Sequence, residues 1–207
     1  TYRIQFRKET RKQNHSVYID GMLWNPVRDV TYDSKWEGYV YNFEVEEDGE
    51  TLEENAHKKA KTLFDMVKLP TLADDTGLFV KALDNRPGVK AHRYAGEDPT
   101  YKENRDKMLE ELKDKEDRSA YFATCVCYID GEGSDHYFEG KIDGQITKEE
   151  RGDYDFGYDQ IFKPNKSDLS FGQMSVEEKN HYSHRSLALN KFVNFLEEKQ
   201  KNENINN

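Results

Sequence analysis

Two long runs of the chain, Ser119–Ile129 and Tyr137–Ile146, alternate apolar and polar residues on either side of Gly131-Glu132-Gly133. Period-two alternation flanking a glycine turn marks an antiparallel hairpin. Thr51-Leu52-Glu53-Glu54 forms a capping box. Behind it Leu52, Ala56, Ala60, Leu63, Phe64 and Val67 recur at helical spacing until Pro70. Thr71-Leu72-Ala73 follows, then Asp74-Asp75-Thr76-Gly77 and a strand over Leu78–Leu83. Asp98-Pro99 opens a helix to about Leu112, with Tyr101, Met108, Leu109 and Leu112 inward. A last helix starts near Ser183 and carries Leu189, Phe192, Val193 and Leu196 on one face, and Lys199–Asn207 reads as a frayed polar tail. Residues 1–45 are irregular, with short strands expected at Ser16–Ile19 and Gly38–Val45.

These elements describe an α/β protein on a mixed sheet without internal repeats. Its 207 residues are enough to bury a sizeable core. With 41 acidic against 31 basic residues the net charge is −10, so the basic face that nucleic acids and membrane surfaces require is missing. A mean hydropathy of −1.06 is close to that of disordered chains. The 13 Tyr, 11 Phe and 2 Trp argue for a folded one. No apolar run approaches the ~18 residues of a membrane span.

Cys125 and Cys127 are the two cysteines of the chain. They are expected on opposite faces of a strand as buried free thiols. With no disulfide framework and no secretory apolar segment, a cytoplasmic location is expected. Thr1 is not a start Met, so the true beginning is expected to have been removed or processed.

Three polar clusters break the logic of a core. Asp74 and Asp75 adjoin each other before Gly77. Neighbouring carboxylates repel unless a cation or proton separates them or they face opposite ways. Asp and Gly are also ordinary turn residues, and a turn is the slightly favoured reading of this segment alone. Gly152 to Phe162 sets aromatic residues around Gly157 and closes on Asp159. Such rings can stack a planar base, or simply anchor a surface loop. In the third cluster Ser183 acts as an N-cap, placing His184 and Arg185 in a first helical turn. The helix dipole disfavours cations there unless an anionic ligand is bound, while a solvated charged helix start is the alternative. Together the clusters hold carboxylates for a metal, rings for a base and cations for phosphate.

With Glu53-Glu54-Asn55-Ala56, Leu72-Ala73-Asp74-Asp75-Thr76-Gly77-Leu78, Pro87-Gly88-Val89, Arg93-Tyr94-Ala95-Gly96, Phe156-Gly157-Tyr158-Asp159 and Ser183-His184-Arg185 in this order, the sequence resembles the inosine triphosphate pyrophosphatase (Ham1-like) family from about Glu46 to Leu196. The resemblance implies a two-lobed α/β fold over 1–207, with a long mixed sheet, a cleft between lobes and usually a homodimer. It implies Mg²⁺-dependent hydrolysis of ITP, dITP and XTP to monophosphate and pyrophosphate, with a small-molecule substrate and neither nucleic acid nor membrane as partner. By position, Asp75 resembles the family's metal-binding proton acceptor and Glu47 its second metal carboxylate. Thr76 falls at a substrate-contacting position. Phe156 and Tyr158, with Gly157 between them, are implied to hold the base, and Asp159 to sit at its edge. Lys179, His184 and Arg185 are implied to contact base and phosphates, and Lys59 to reach the phosphates.

Asp155 and Gln160 stand where the family usually has Gly and Pro, so Asp155 is expected to bring unfavourable negative charge to the base loop. The family's Thr/Ser-x-Asn-x-x-Lys phosphate turn has no counterpart in residues 1–45, where neither Asn14 nor Asn25-Pro26-Val27-Arg28 fits it. That motivates a second possibility, a homologue that binds a nucleotide or a protein partner without turnover.

Overall fold

The computed structural model describes residues 17–19, 22–24, 45 and 48–205. The chain divides into two compact units, 1–46 and 47–207. In the first, β1 (Val17–Ile19) and β2 (Met22–Trp24) form an antiparallel hairpin. The strand expected at Gly38–Val45 and the asparagines considered for a phosphate turn lie outside the described residues, apart from Val45.

The second unit runs through α1 (Leu52–Val67), β3 (Thr71–Val80), β4 (Pro87–Gly88), α2 (Tyr101–Glu111), β5 (Ser119–Ile129), β6 (Asp135–Ile146), β7 (Phe162–Pro164), α3 (Val176–Tyr182) and α4 (His184–Ile205). Its five strands are ordered β4-β3-β5-β6-β7. The expected mixed sheet is antiparallel at every described pairing. The hairpin explains part of this, because consecutive strands joined by a short turn must run in opposite directions.

The capping box of α1 is present, with Glu54 N donating to Thr51 Oγ1 at 3.1 Å and Thr51 N to Glu54 Oε2 at 3.2 Å. The buried face of this helix, Ala56 and Ala60 with Leu52 and Phe64 beside them, packs on Cys125, Cys127 and Ile129. Cys125 and Cys127 therefore do not face opposite ways, since residues two apart in a strand share a face. Both are buried and free, and burial pushes each thiol up to about 12.

The other sheet face builds the larger core from Leu78, Val80, Phe122, Ile146, Phe162 and Phe171, with Met108 and Leu112 from the α2 region. Tyr101, expected inward, is 39% exposed. On α4 Ala188 is fully buried, Leu189 and Phe192 are half-buried, and Val193 and Leu196 are exposed, which corrects the expected face. The expected tail is helical as far as Ile205.

Two close approaches tie this scaffold together. A Cβ added at Gly140 on β6 would lie 1.9 Å from the His184 carbonyl and 2.6 Å from Ala188 N, so α4 reaches the sheet because that strand position has no side chain. At the other end of α4, Lys199 Nζ meets Asp130 Oδ2 at 3.2 Å.

Candidate active site

Asp74-Asp75-Thr76-Gly77 is not a turn. β3 passes straight through it, with Asp74 opposite Val126, Asp75 opposite Cys125 and Thr76 opposite Thr124. Strand alternation then separates the two carboxylates. Asp75 shares its face with Cys125 and α1, while Asp74 and Thr76 share theirs with Thr124. The repulsion is relieved because each carboxylate has its own cation.

On the α1 face Lys59 Nζ lies 2.7 Å from Asp75 Oδ1 and donates to the Asp74 carbonyl at 3.3 Å. Asn55 Nδ2 donates to Asp75 Oδ2 at 3.2 Å. Asp75 is 4% exposed and Asn55 fully buried. On the other face Arg185 Nε and Nη2 each lie 3.0 Å from Asp74 Oδ2, and Nη2 lies 3.4 Å from Thr76 Oγ1. Thr76 and Thr124 share a hydroxyl hydrogen bond of 2.7 Å. Among the described residues the other edge of β3 pairs only with β4, at Leu78 and Phe79. Both carboxylates thus stand along a stretch of strand whose second edge pairs with no described strand.

Ser183 does cap α4, accepting from Ser186 N at 3.1 Å. His184 is not a cation in the first turn, however. Its ring is buried and stacked on Phe122, with centroids 4.5 Å apart, and burial pushes its pKa down to about 3. The dipole conflict therefore falls on Arg185 alone, which Asp74 compensates. His184 Nδ1 is buried with no hydrogen-bond partner.

The loop after β6 carries the aromatic cluster. Gly157 has φ +52°, in the left-handed region that favours glycine. Phe156 is 43% exposed and meets Tyr101 edge-on at 5.5 Å. Lys179 Nζ lies 5.3 Å from the Phe156 ring centre and 5.4 Å from that of Tyr154, and it pairs with Asp159. Burial raises the Asp159 carboxyl above its ordinary range against the pull of Lys179. Tyr158 is more anchor than platform, because its ring belongs to the core and its hydroxyl donates to the Ala91 carbonyl at 2.7 Å. Asp155 does not bring bare charge to the loop, since Arg105 Nη1 lies 2.7 Å from its carboxylate.

A single cavity of about 450 Å³ is lined by Lys59, Asp75, Thr76, Phe156, Gly157, Tyr158, Asp159, Lys179, His184 and Arg185, together with Asp74 and Tyr101. Every expected site residue except Glu47 is brought together there, and Glu47 lies outside the described residues. Sequence reasoning missed Asn55, whose signal was an amide beside the buried alanines of α1. It also missed Tyr101 and Arg105, whose partners lie about 50 residues further along the chain.

A sequence model of the Ham1 family matches residues 21–195, beginning before Glu46, where the motif resemblance starts. A dITP/XTP pyrophosphatase of Desulfotalea psychrophila is 48% identical over 147 residues, covering 70% of this chain and 66% of that protein, just under two thirds of its length. Another from Porphyromonas gingivalis is 46% identical over 154 residues, covering 74% of this chain and 79% of its own. The solved structure of the Staphylococcus aureus Ham1 protein superposes with a TM-score of 0.72 at 37% identity, covering 76% of this chain and 82% of that one.

Proposed function

Since this chain belongs to the Ham1 family, we propose that it hydrolyses non-standard purine nucleoside triphosphates, ITP, dITP and XTP, to the monophosphate and pyrophosphate. The observation that carries this proposal is one cavity holding both a fixed carboxylate, Asp75, and exposed ring surface beside a cation, Phe156 and Lys179. Water activation and base selection then happen in the same place.

Asp75 is held at both oxygens, by Lys59 and by Asn55, so its carboxylate is oriented before substrate arrives. It accepts a proton from the attacking water. The water oxygen bonds to the α-phosphorus while the α–β bridging P–O bond breaks, and that electron pair leaves with pyrophosphate. Arg185 and Lys59 offer charge-assisted donors to phosphate oxygens. The base stacks on Phe156, which places its edge near Lys179. A 6-oxo group accepts from the ammonium. The 6-amino group of adenine would set donor against donor, at a cost of about 1–3 kcal/mol.

Mg²⁺ is the metal of this proposal. Among the described residues no three His, Cys, Asp or Glu side chains come together, so the cavity offers no closed protein cage. What it does offer is carboxylate oxygen, which fits a hard cation that takes one or two carboxylates and completes its shell with phosphate and water. Asp75 would hold it, joined by Glu47. When bound, the ion masks phosphate charge and lowers the pKa of water.

A cytoplasmic homodimer completes the proposal. Light scattering at twice the chain mass checks the dimer. Among the described residues no helix is long and apolar enough to cross a membrane.

The test is pyrophosphate release from ITP, dITP and XTP against ATP and GTP, with and without Mg²⁺. Metal-dependent turnover of ITP, dITP and XTP is expected, with ATP the poor substrate; GTP shares the 6-oxo group, so its rate reads the separate effect of the 2-amino group. A folded protein without turnover would make the chain a nucleotide binder instead.

A further inference from the structure

We propose that Arg105 is a positioning residue for the base-binding loop, acting on substrate affinity without touching substrate. This rests on the assignment of Phe156 as the stacking surface. Arg105 sits on α2 with its side chain 3% exposed. A guanidinium that well buried must be paired. Its Nε donates to Glu150 Oε1 at 2.6 Å, and its Nη1 donates to Asp155 Oδ1 at 2.7 Å and to the Gly157 carbonyl at 2.9 Å. These bonds bracket Phe156 on both sides, at residues 155 and 157. One helical turn earlier Tyr101 meets the Phe156 ring itself. Residues 148–157 between β6 and the short 3₁₀ turn at Asp159–Ile161 have no regular secondary structure, so their shape depends on such side-chain ties.

The planar fork explains why arginine suits this place. Three acceptors along one loop are met from fixed directions, which a single ammonium on a flexible stem cannot reproduce. The carbonyl is the informative partner. Glu150 and Asp155 are partly exposed and would accept any cation, whereas the bond to Gly157 fixes backbone at the left-handed residue next to the stacking ring. Asp155 and Arg105 thus work as a pair: the carboxylate at 155 neutralises the cation that holds the carbonyl at 157.

The experiment compares full-length wild type with Arg105→Met, Arg105→Lys and Asp155→Gly, each checked by thermal melting and assayed below its midpoint with dITP and XTP in Mg²⁺. Arg105→Met is expected to raise KM about tenfold while kcat stays within about twofold, because the loop loosens and the hydrolytic end of the cavity does not. Arg105→Lys, keeping charge but not the fork, is expected to recover only part of that loss, and Asp155→Gly to raise KM about threefold. A purely structural arginine would lower the melting point and leave KM unchanged in the folded protein. Should Arg105→Met fail to fold, an unchanged KM in both Arg105→Lys and Asp155→Gly overturns the proposal. Wild-type protein without turnover overturns the hydrolase reading and with it this proposal, whose effect is on KM. Wild-type turnover with flat KM across the variants overturns the positioning role alone.

Discussion

Arg185 Nε lies 3.0 Å from Oδ2 of Asp74, joining the first turn of α4 to the middle of β3 across 111 residues of chain. Its neighbour in sequence, Asp75, turns to the other sheet face and pairs with Lys59 at 2.7 Å. Two adjacent carboxylates are thereby each placed beside a cation of their own. The Arg185–Asp74 pair is 44% and 37% exposed, and pairs this open contribute about 0–1 kcal/mol to stability. Arg185→Ala should therefore move the melting point little and raise KM for dITP about tenfold or more. A large loss of stability with normal kinetics would make the pair structural.

Asp75→Asn keeps the size of the side chain and removes its basicity. Turnover of dITP should fall by about 10²–10⁴, the contribution expected of a positioned general base. Circular dichroism should be unchanged, because β3 is held by ten residues of pairing with β5. Undiminished pyrophosphate release from this variant removes Asp75 from the chemistry.

His184 predicts a pH dependence of stability. Its folded-state pKa is pushed down to about 3, from an ordinary value of 6.5. Below 6.5 the unfolded chain takes up a proton that the folded protein refuses, so unfolding gains with falling pH. This part of the stability is intact above about 6.5 and is lost progressively toward about 3. Melting curves from about pH 7 to about pH 5 should show a falling midpoint, and His184→Gln, which cannot titrate there, should show a shallower fall. Parallel slopes for the two proteins would contradict the buried neutral imidazole.

Gly140→Ala tests how α4 is seated. The added methyl would sit 1.9 Å from the His184 carbonyl, which is backbone and cannot rotate away. Helix or strand must shift, at a cost of about 1–3 kcal/mol or more. A lower melting point and weaker substrate binding should appear together, because the same shift displaces His184 and Arg185. Loss of one without the other would show that the seat of α4 and the site are independent.

Much of the fold was legible because it depends on local pattern. The run Ser119–Ile129 alternates as a strand must, and Thr51 with Glu54 caps a helix wherever that helix packs. The candidate site residues were picked out by their motifs, and ten of the eleven line one cavity. The misreadings share a cause. Asp74-Asp75-Thr76-Gly77 has the composition of a turn, and only ten consecutive pairings with β5 make it a strand interior. His184 looked like a cation in a helical first turn, and stacking on Phe122, 62 residues earlier, buries it as a neutral ring.

The sequence by itself determined the capped helix α1 and the β5–β6 hairpin, that the chain is acidic and folded, and which residue types the chemistry draws on, because propensity, capping and periodicity act between residues a few positions apart. The tertiary structure decided charge and partnership. Whether Asp75 meets Lys59, whether Arg105 reaches Gly157 and whether His184 holds a proton depend on burial and on distances between segments 16 to 62 residues apart. Electrostatic energy depends on those distances and on access to water, and neither quantity exists until the chain has packed.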